Sequence, residues 1–135
     1  MAKKSKVLLV MPRAGRALLV DLLGKLGLPI LFASNCEEAA RYLRPEHNVD
    51  VLLTGVELPD GDWETVLQCV DRMRPHAQVV VCTNFPTPAL CGKVFRRGAS
   101  DILMGPYTLQ ELRDAVSAAR NRSQTWLGAY GPPAA

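Results

Sequence analysis

The sequence predicts an α/β domain built on a doubly wound, five-stranded parallel sheet with five helices. Three observations carry that reading. Short apolar runs alternate five times with amphipathic stretches, about 20–30 residues apart. Glycine and proline punctuate nearly every boundary between them. The third run, Val51-Leu52-Leu53, is apolar throughout and partly β-branched, as a central strand covered on both faces must be. Right-handed β-α-β crossovers then build the sheet, and the flavodoxin-like order 2-1-3-4-5 is the expected arrangement.

The elements follow in chain order. Val7-Leu8-Leu9-Val10 is the first strand, ended by Met11-Pro12 because proline cannot continue a central strand. From Ala14 to Leu26, leucines 18, 19, 22, 23 and 26 recur at helical spacing, and Gly27 stops that helix. Pro29 to Ala33 is the second strand. Ser34 or Asn35 caps a short helix, Glu37 to Leu43, with two glutamates in its first turn. After the third strand comes the turn-rich Pro59-Asp60-Gly61.

Trp63 to Met73 is the third helix, with Val66, Leu67, Val70 and Met73 on one face and Pro75 beyond it. Val79-Val80-Val81-Cys82 is strand four. A helix from Pro88 carries Leu90, Val94 and Phe95 and ends at Gly98, proline suiting its start and glycine its end. Ile102 to Met104 is strand five. Thr108 caps the last helix, with Leu109, Leu112, Ala115, Val116 and Ala119 inward. We expect one domain over residues 1–122 and a flexible, linker-like tail over 123–135.

Composition sets limits on function. The 135 residues are 48% hydrophobic and 21% charged, a globular balance that argues against disorder. No apolar run reaches the roughly 18 residues that span a bilayer, and the run behind the basic start is too short for a secretory leader. The expectation is a cytoplasmic protein without membrane contact. A net charge of +3 and a pI near 8.8 fall short of a dedicated nucleic-acid binder. Cys36, Cys69, Cys82 and Cys91 show no C-x-x-C spacing, so they read as reduced structural cysteines rather than metal ligands. No Ser/His/Asp or Cys/His pattern suggests an enzyme. His47 and His76, beside proline-ended helices, read as surface residues.

Several segments together resemble the receiver domains of response regulators (the CheY-like family) over about residues 5–121. Leu58-Pro59-Asp60-Gly61 is similar to that family's L-P-D-G loop, and Val79 to Thr83 to its fourth strand ending in Ser or Thr. Gly98-Ala99-Ser100-Asp101-Ile102-Leu103-Met104-Gly105-Pro106-Tyr107 resembles its G-A-x-D-Y-L-x-K-P-F stretch. The resemblance implies a signalling domain whose chemistry uses two acids after strand one and an aspartate after strand three. These hold Mg²⁺ through oxygen ligands, and the aspartate accepts a phosphoryl group. A lysine after strand five and a Ser/Thr after strand four bind that group, and an aromatic residue in strand five is the output switch.

Here the acidic pair falls on Met11 and Pro12, the acceptor on Gly55, the lysine on Gly105 and the switch aromatic on Ile102; only Thr83 matches. Glycine cannot be phosphorylated. Arg13 follows the lost pair, Thr54 should face the other side of the strand, and Glu57 is an incomplete substitute. Thr83 without phosphate partners reads as a hydroxyl satisfying local backbone. The expected protein is an atypical receiver, not an enzyme, with no metal or other cofactor. It acts through contact with a protein partner (a kinase, output domain or regulator).

Lys93, Arg96, Arg97, Tyr107 and Arg113 are the candidate interaction face. In the family, helix four, strand five and helix five form the docking and dimer surface, so a homodimer through it is a further expectation. Trp63 and Tyr107 flank the emptied position and either cap the core or wall a small pocket. Arg13 and Arg16 begin the first helix, as an anion site or simply as solvated charges. Two other functions stand beside protein docking: sensing a small ligand or redox cofactor in the vacated pocket, or nucleic-acid association through the basic helices.

Overall fold

A computed structural model of the chain describes residues 6–131; the basic start before Lys6 and the last four residues of the expected tail lie outside the described residues. The chain runs β1 (Lys6–Val10), α1 (Ala17–Lys25), β2 (Ile30–Ala33), α2 (Cys36–Tyr42), a 3-10 turn (Pro45–His47) and β3 (Val49–Gly55). A hairpin of β4 (Glu57–Leu58) and β5 (Gly61–Asp62) leads into α3 (Trp63–Met73). Then follow β6 (Gln78–Thr83), α4 (Pro88–Arg97), β7 (Asp101–Met104) and α5 (Leu109–Tyr130). The main sheet has the order β2-β1-β3-β6-β7 with all pairs parallel. This is the doubly wound 2-1-3-4-5 arrangement that the sequence predicts.

Burial explains why the strands are so apolar. Every residue of β3 is buried, because alternate side chains enter two different cores. Leu8, Val10, Leu52, Val79 and Val81 meet Ala39, Trp63, Val66, Val70 and Val94 from α2, α3 and α4, and Leu43 just after α2. Val7, Leu9, Val51, Leu53, Val80 and Cys82 meet Leu19, Leu22 and Leu23 of α1 and Leu112, Ala115, Val116 and Ala119 of α5. Leu52 is fully buried at the centre.

The helix caps follow the expected chemistry. Asn35 Oδ1 accepts from Glu38 N–H at 2.8 Å, Asp62 closes a capping box with Thr65, and Thr87 and Thr108 cap α4 and α5. Gly98 ends α4 at φ +86°, in the left-handed region where a side chain is disfavoured.

Five expectations need correction. The first helix starts at Ala17 rather than Ala14, because Gly15 sits at φ +93° and holds residues 12–16 in a turn. Leu18, expected on the buried face, is 52% exposed, and so is Met73 at 40%; each lies at the margin of its helix's apolar stripe. The hairpin β4–β5 was not foreseen, since two-residue strands leave no periodicity. His76 is not a surface residue but packs inside, as described below.

Residues 123–130, finally, are not an extended linker but the last turns of α5. Ser123 is fully buried there, and the Trp126 ring lies 6.1 Å from His76 and 5.5 Å from Tyr130. No strong helix breaker precedes the Gly131-Pro132 pair.

Candidate functional site

Parallel strands deliver their carboxyl ends to one edge of the sheet, where loops carry most of the chemistry in such folds. Met11, Gly55 and Thr83 meet there, after or at the ends of β1, β3 and β6. They line an open cleft of about 270 Å³ with Pro12, Val56, Glu57, Cys82, Asn84, Phe85 and Tyr107 among others. Its only acid is Glu57, which is exposed.

Met11 is the floor of this cleft and is 8% exposed. A Cβ built on Gly55 would stand 3.6 Å from both Cγ and Cε of Met11, so the thioether chain fills the space beside the glycine. Thr54 is fully buried, is not part of the cleft wall, and its hydroxyl donates to Gly55 O at 3.0 Å. Thr83 Oγ1 accepts from Phe85 N–H at 3.0 Å, the local backbone role expected of it.

Gly105 lies just beyond the cleft. Its N–H donates to Thr83 O at 2.8 Å, and the Asn84 side chain occupies the place a Cβ at 105 would take. Ile102, opposite Val81 in the sheet, packs partly buried against the core under α4. Tyr107 does wall the cleft; burial, with Cys82 nearby, pushes its phenol up to about 12. Trp63 does not: it is 3% exposed inside the α2–α3 core.

The loop after β3 has a separate task. The Asp60 carboxylate accepts from Cys36 N–H at 2.7 Å and Glu37 N–H at 3.1 Å, supplying an N-cap to α2 from a distant loop. These bonds hold its carboxyl below the usual range. Burial, reinforced by Asp60, pushes the Cys36 thiol up to about 12. Gly61 is required by space, since a Cβ there would meet Thr65 Oγ1 at 2.7 Å and Cys36 Sγ at 3.0 Å. The D-G pair thus has a structural account of its own.

The candidate basic face divides. Lys93 Nζ and Arg97 Nε bind the two oxygens of Glu64 on α3, at 2.6 and 2.9 Å. Phe95 lies on the opposite side of α4, roughly 160–200° round the helix, and is 64% exposed. Arg96 points outward beside Gly92, while Arg113 borders Leu26 and Leu28 after α1. Phe95, grouped by the sequence with Leu90 and Val94, turns outward instead of joining buried Val94, and Met104 at the end of β7 is also exposed; neither belongs to the candidate face as the sequence drew it.

A second polar feature, also missed, sits at the other end of the sheet. Asp50 Oδ1 lies 3.4 Å from His76 Nε2 and 3.6 Å from Arg74 Nη2, and Arg74 Nε donates to Val49 O at 2.5 Å. All three side chains are about nine-tenths enclosed. Burial and then Arg74 hold the His76 imidazole below its usual value, with Asp50 opposing them. The signal was a single aspartate inside the apolar run Val49-Asp50-Val51.

Comparison with known proteins places this geometry. Residues 13–117 match the family described as response regulator receiver domain. The chain is 32% identical over 104 residues to the response regulator protein PilR of Pseudomonas aeruginosa, covering 77% of this chain and 23% of PilR. It is 28% identical over 123 residues to the DNA-binding transcriptional regulator NtrC of Azospirillum brasilense, covering 91% of this chain and 24% of NtrC. The chain therefore spans about a quarter of the length of these two relatives. The signal receiver domain of a putative LuxO repressor protein from Vibrio parahaemolyticus superposes with a TM-score of 0.82 at 20% identity, covering 96% of this chain and all of that one. Among the described residues no helix is long and apolar enough to cross a membrane.

Proposed function

The chain belongs to the response regulator receiver domain family, and from that premise we propose that it is a signalling module working through protein contact without aspartyl phosphorylation. The observation that carries this is Gly55 at the end of β3 with Met11 packed beside it. Family chemistry calls for Mg²⁺ at this edge, but the residues present do not fit it. A hard, octahedral cation wants carboxylates and waters, whereas the cleft offers a thioether, a proline, a glycine and one exposed glutamate. Asn84 stands where the side chain of a phosphate-binding lysine at 105 would begin. Without neighbouring carboxylates there is no like-charge repulsion to relieve, so the fold needs no cation.

The test is treatment with acetyl phosphate and Mg²⁺ followed by intact mass, alongside melting curves with and without beryllofluoride. We expect no phosphoryl adduct and no change in Tm. A stoichiometric adduct, or a rise of several degrees, overturns the reading.

The docking surface we assign is that of α4, β7 and the start of α5, which carries exposed Phe95 and Met104 and exposed Arg96. Lys93 and Arg97 support it indirectly by tying α4 to Glu64. Its partner is a kinase, an output domain, another regulator or a second copy of the chain, in two-component signalling or transcriptional control. Recovery of that partner from lysate should fall in F95A/R96E; unchanged recovery removes the assignment. The vacated cleft is open and about 270 Å³, near the lower bound of small-molecule sites, and with its Thr83 hydroxyl already engaged by Phe85 N–H ligand sensing is the second reading.

A further inference from the structure

A different part of the molecule carries an unassigned binding surface. Strand β2 is the edge of the sheet and pairs only with β1. Val7 N–H donates to Pro29 O at 3.0 Å, and Met11 N–H donates to Ala33 O at 2.9 Å. Both backbone groups of a residue in a parallel strand point the same way. Residues 29, 31 and 33 therefore face β1, and the N–H and C=O groups of Ile30 and Phe32 face outward.

They border a groove of about 600 Å³. Its other wall is Glu38, Arg41 and Tyr42 of α2, and its upper end is Arg13, Arg16 and Ser34. Phe32 remains 37% exposed in mid-edge. Edge strands are usually guarded by Lys, Pro or a bulge; here Pro29 begins the edge but faces β1, and Ile30-Leu31-Phe32-Ala33 contains no such guard.

The charges in the groove are one-sided. Three arginines face one glutamate, and Glu38 Oε2 already accepts from Ser34 N–H at 2.9 Å. Arg16 is held in place by Met11 O at 3.3 Å and by the Phe32 ring, with its guanidinium carbon 5.3 Å from the centroid. Arg41 pairs with Glu37 at 2.8 Å, both exposed. Arg13 is exposed and has no ion pair among the described residues.

We propose that this groove receives an extended acidic segment of a partner protein, which adds to the sheet as a sixth strand beside β2. An extended peptide meets both features at once. Its backbone satisfies Ile30 and Phe32, and its alternate side chains carry carboxylates to the arginines. A free phosphate would satisfy the arginines alone and would be repelled by the two outward carbonyls.

The experiment uses the full chain and a fluorescein-labelled hexapeptide of alternating Glu and Val. We expect saturable binding with amide shifts at Ile30 and Phe32, weakened about tenfold or more in R13E/R41E, a change of about 1.4 kcal/mol. Both arginines are exposed, so the variant should stay folded, with only a small fall in Tm from the lost Arg41–Glu37 pair. Methylating alternate peptide nitrogens should abolish binding while leaving the charge intact. Four results overturn the proposal: no binding at millimolar peptide, equal binding of a Lys/Val peptide, equal binding of the methylated peptide, or displacement by tripolyphosphate binding more tightly.

Discussion

The two ends of the β3 strand have opposite electrostatics. At its carboxyl end Gly55 faces a methionine side chain, and the only acid in the cleft is exposed Glu57. At its amino end Asp50 is buried against Arg74 and His76. The end where this family's chemistry is expected to concentrate charge is nearly neutral, and the end with no expected chemistry holds the buried ions. A charged pocket is retained for what it does, whereas a buried ion pair persists because removing one member leaves the other stranded. The lesson is that buried charge in this fold marks architecture as readily as activity.

That contrast can be broken, most severely at the amino end. Arg74→Ala should cost about 3–5 kcal/mol in urea unfolding, because it strands Asp50 and frees Val49 O. D50N/R74M should recover most of the loss. If Arg74→Ala costs under 1 kcal/mol, the cluster is not holding this end of the sheet.

At the carboxyl end, Gly55→Asp should cost about 1–3 kcal/mol, since it places a carboxylate against Met11. Gly55→Ala should be nearly neutral, its methyl making only ordinary contact. A stabilised Gly55→Asp would mean that a cation or another partner occupies the cleft.

Asp60→Ala, which removes the distant cap from α2, should cost about 1 kcal/mol or less given its exposure, and hydrogen exchange should quicken at Cys36 and Glu37. The smallest effect is the pH response. His76 is depressed below its ordinary 6.5, so the unfolded chain takes up this proton more readily than the native one. Its contribution to stability is fully present above that value and is lost as the pH falls through it towards the folded pKa. Denaturation curves across this window should slope in wild type and flatten in His76→Gln.

The sequence was most legible where a residue's task is local or repeated. Val7 to Val10, Val51 to Leu53 and Val79 to Cys82 announce buried strands by composition alone, and Asn35, Thr108 and Gly98 mark their helix ends by chemistry. Met11, Gly55 and Gly105 were readable as missing side chains only against the family's pattern. Contacts between distant segments were not readable. Nothing in Leu58-Pro59-Asp60-Gly61 says that Asp60 caps α2, and nothing in Lys93 or Arg97 says that Glu64 holds both. The end of α5 was not readable because Gly128 lowers helix propensity inside it, while the contact between the tilted Trp126 and His76 rings is tertiary.

The Asn84 side chain, resting in the space beside Gly105, has a consequence for the direction of change. A side chain at 105 must displace the exposed Asn84 side chain, whereas a Cβ at 55 makes only ordinary contact with Met11. A lysine at 105 therefore needs the Asn84 side chain to turn away or a companion change at 84, a requirement that position 55 does not share.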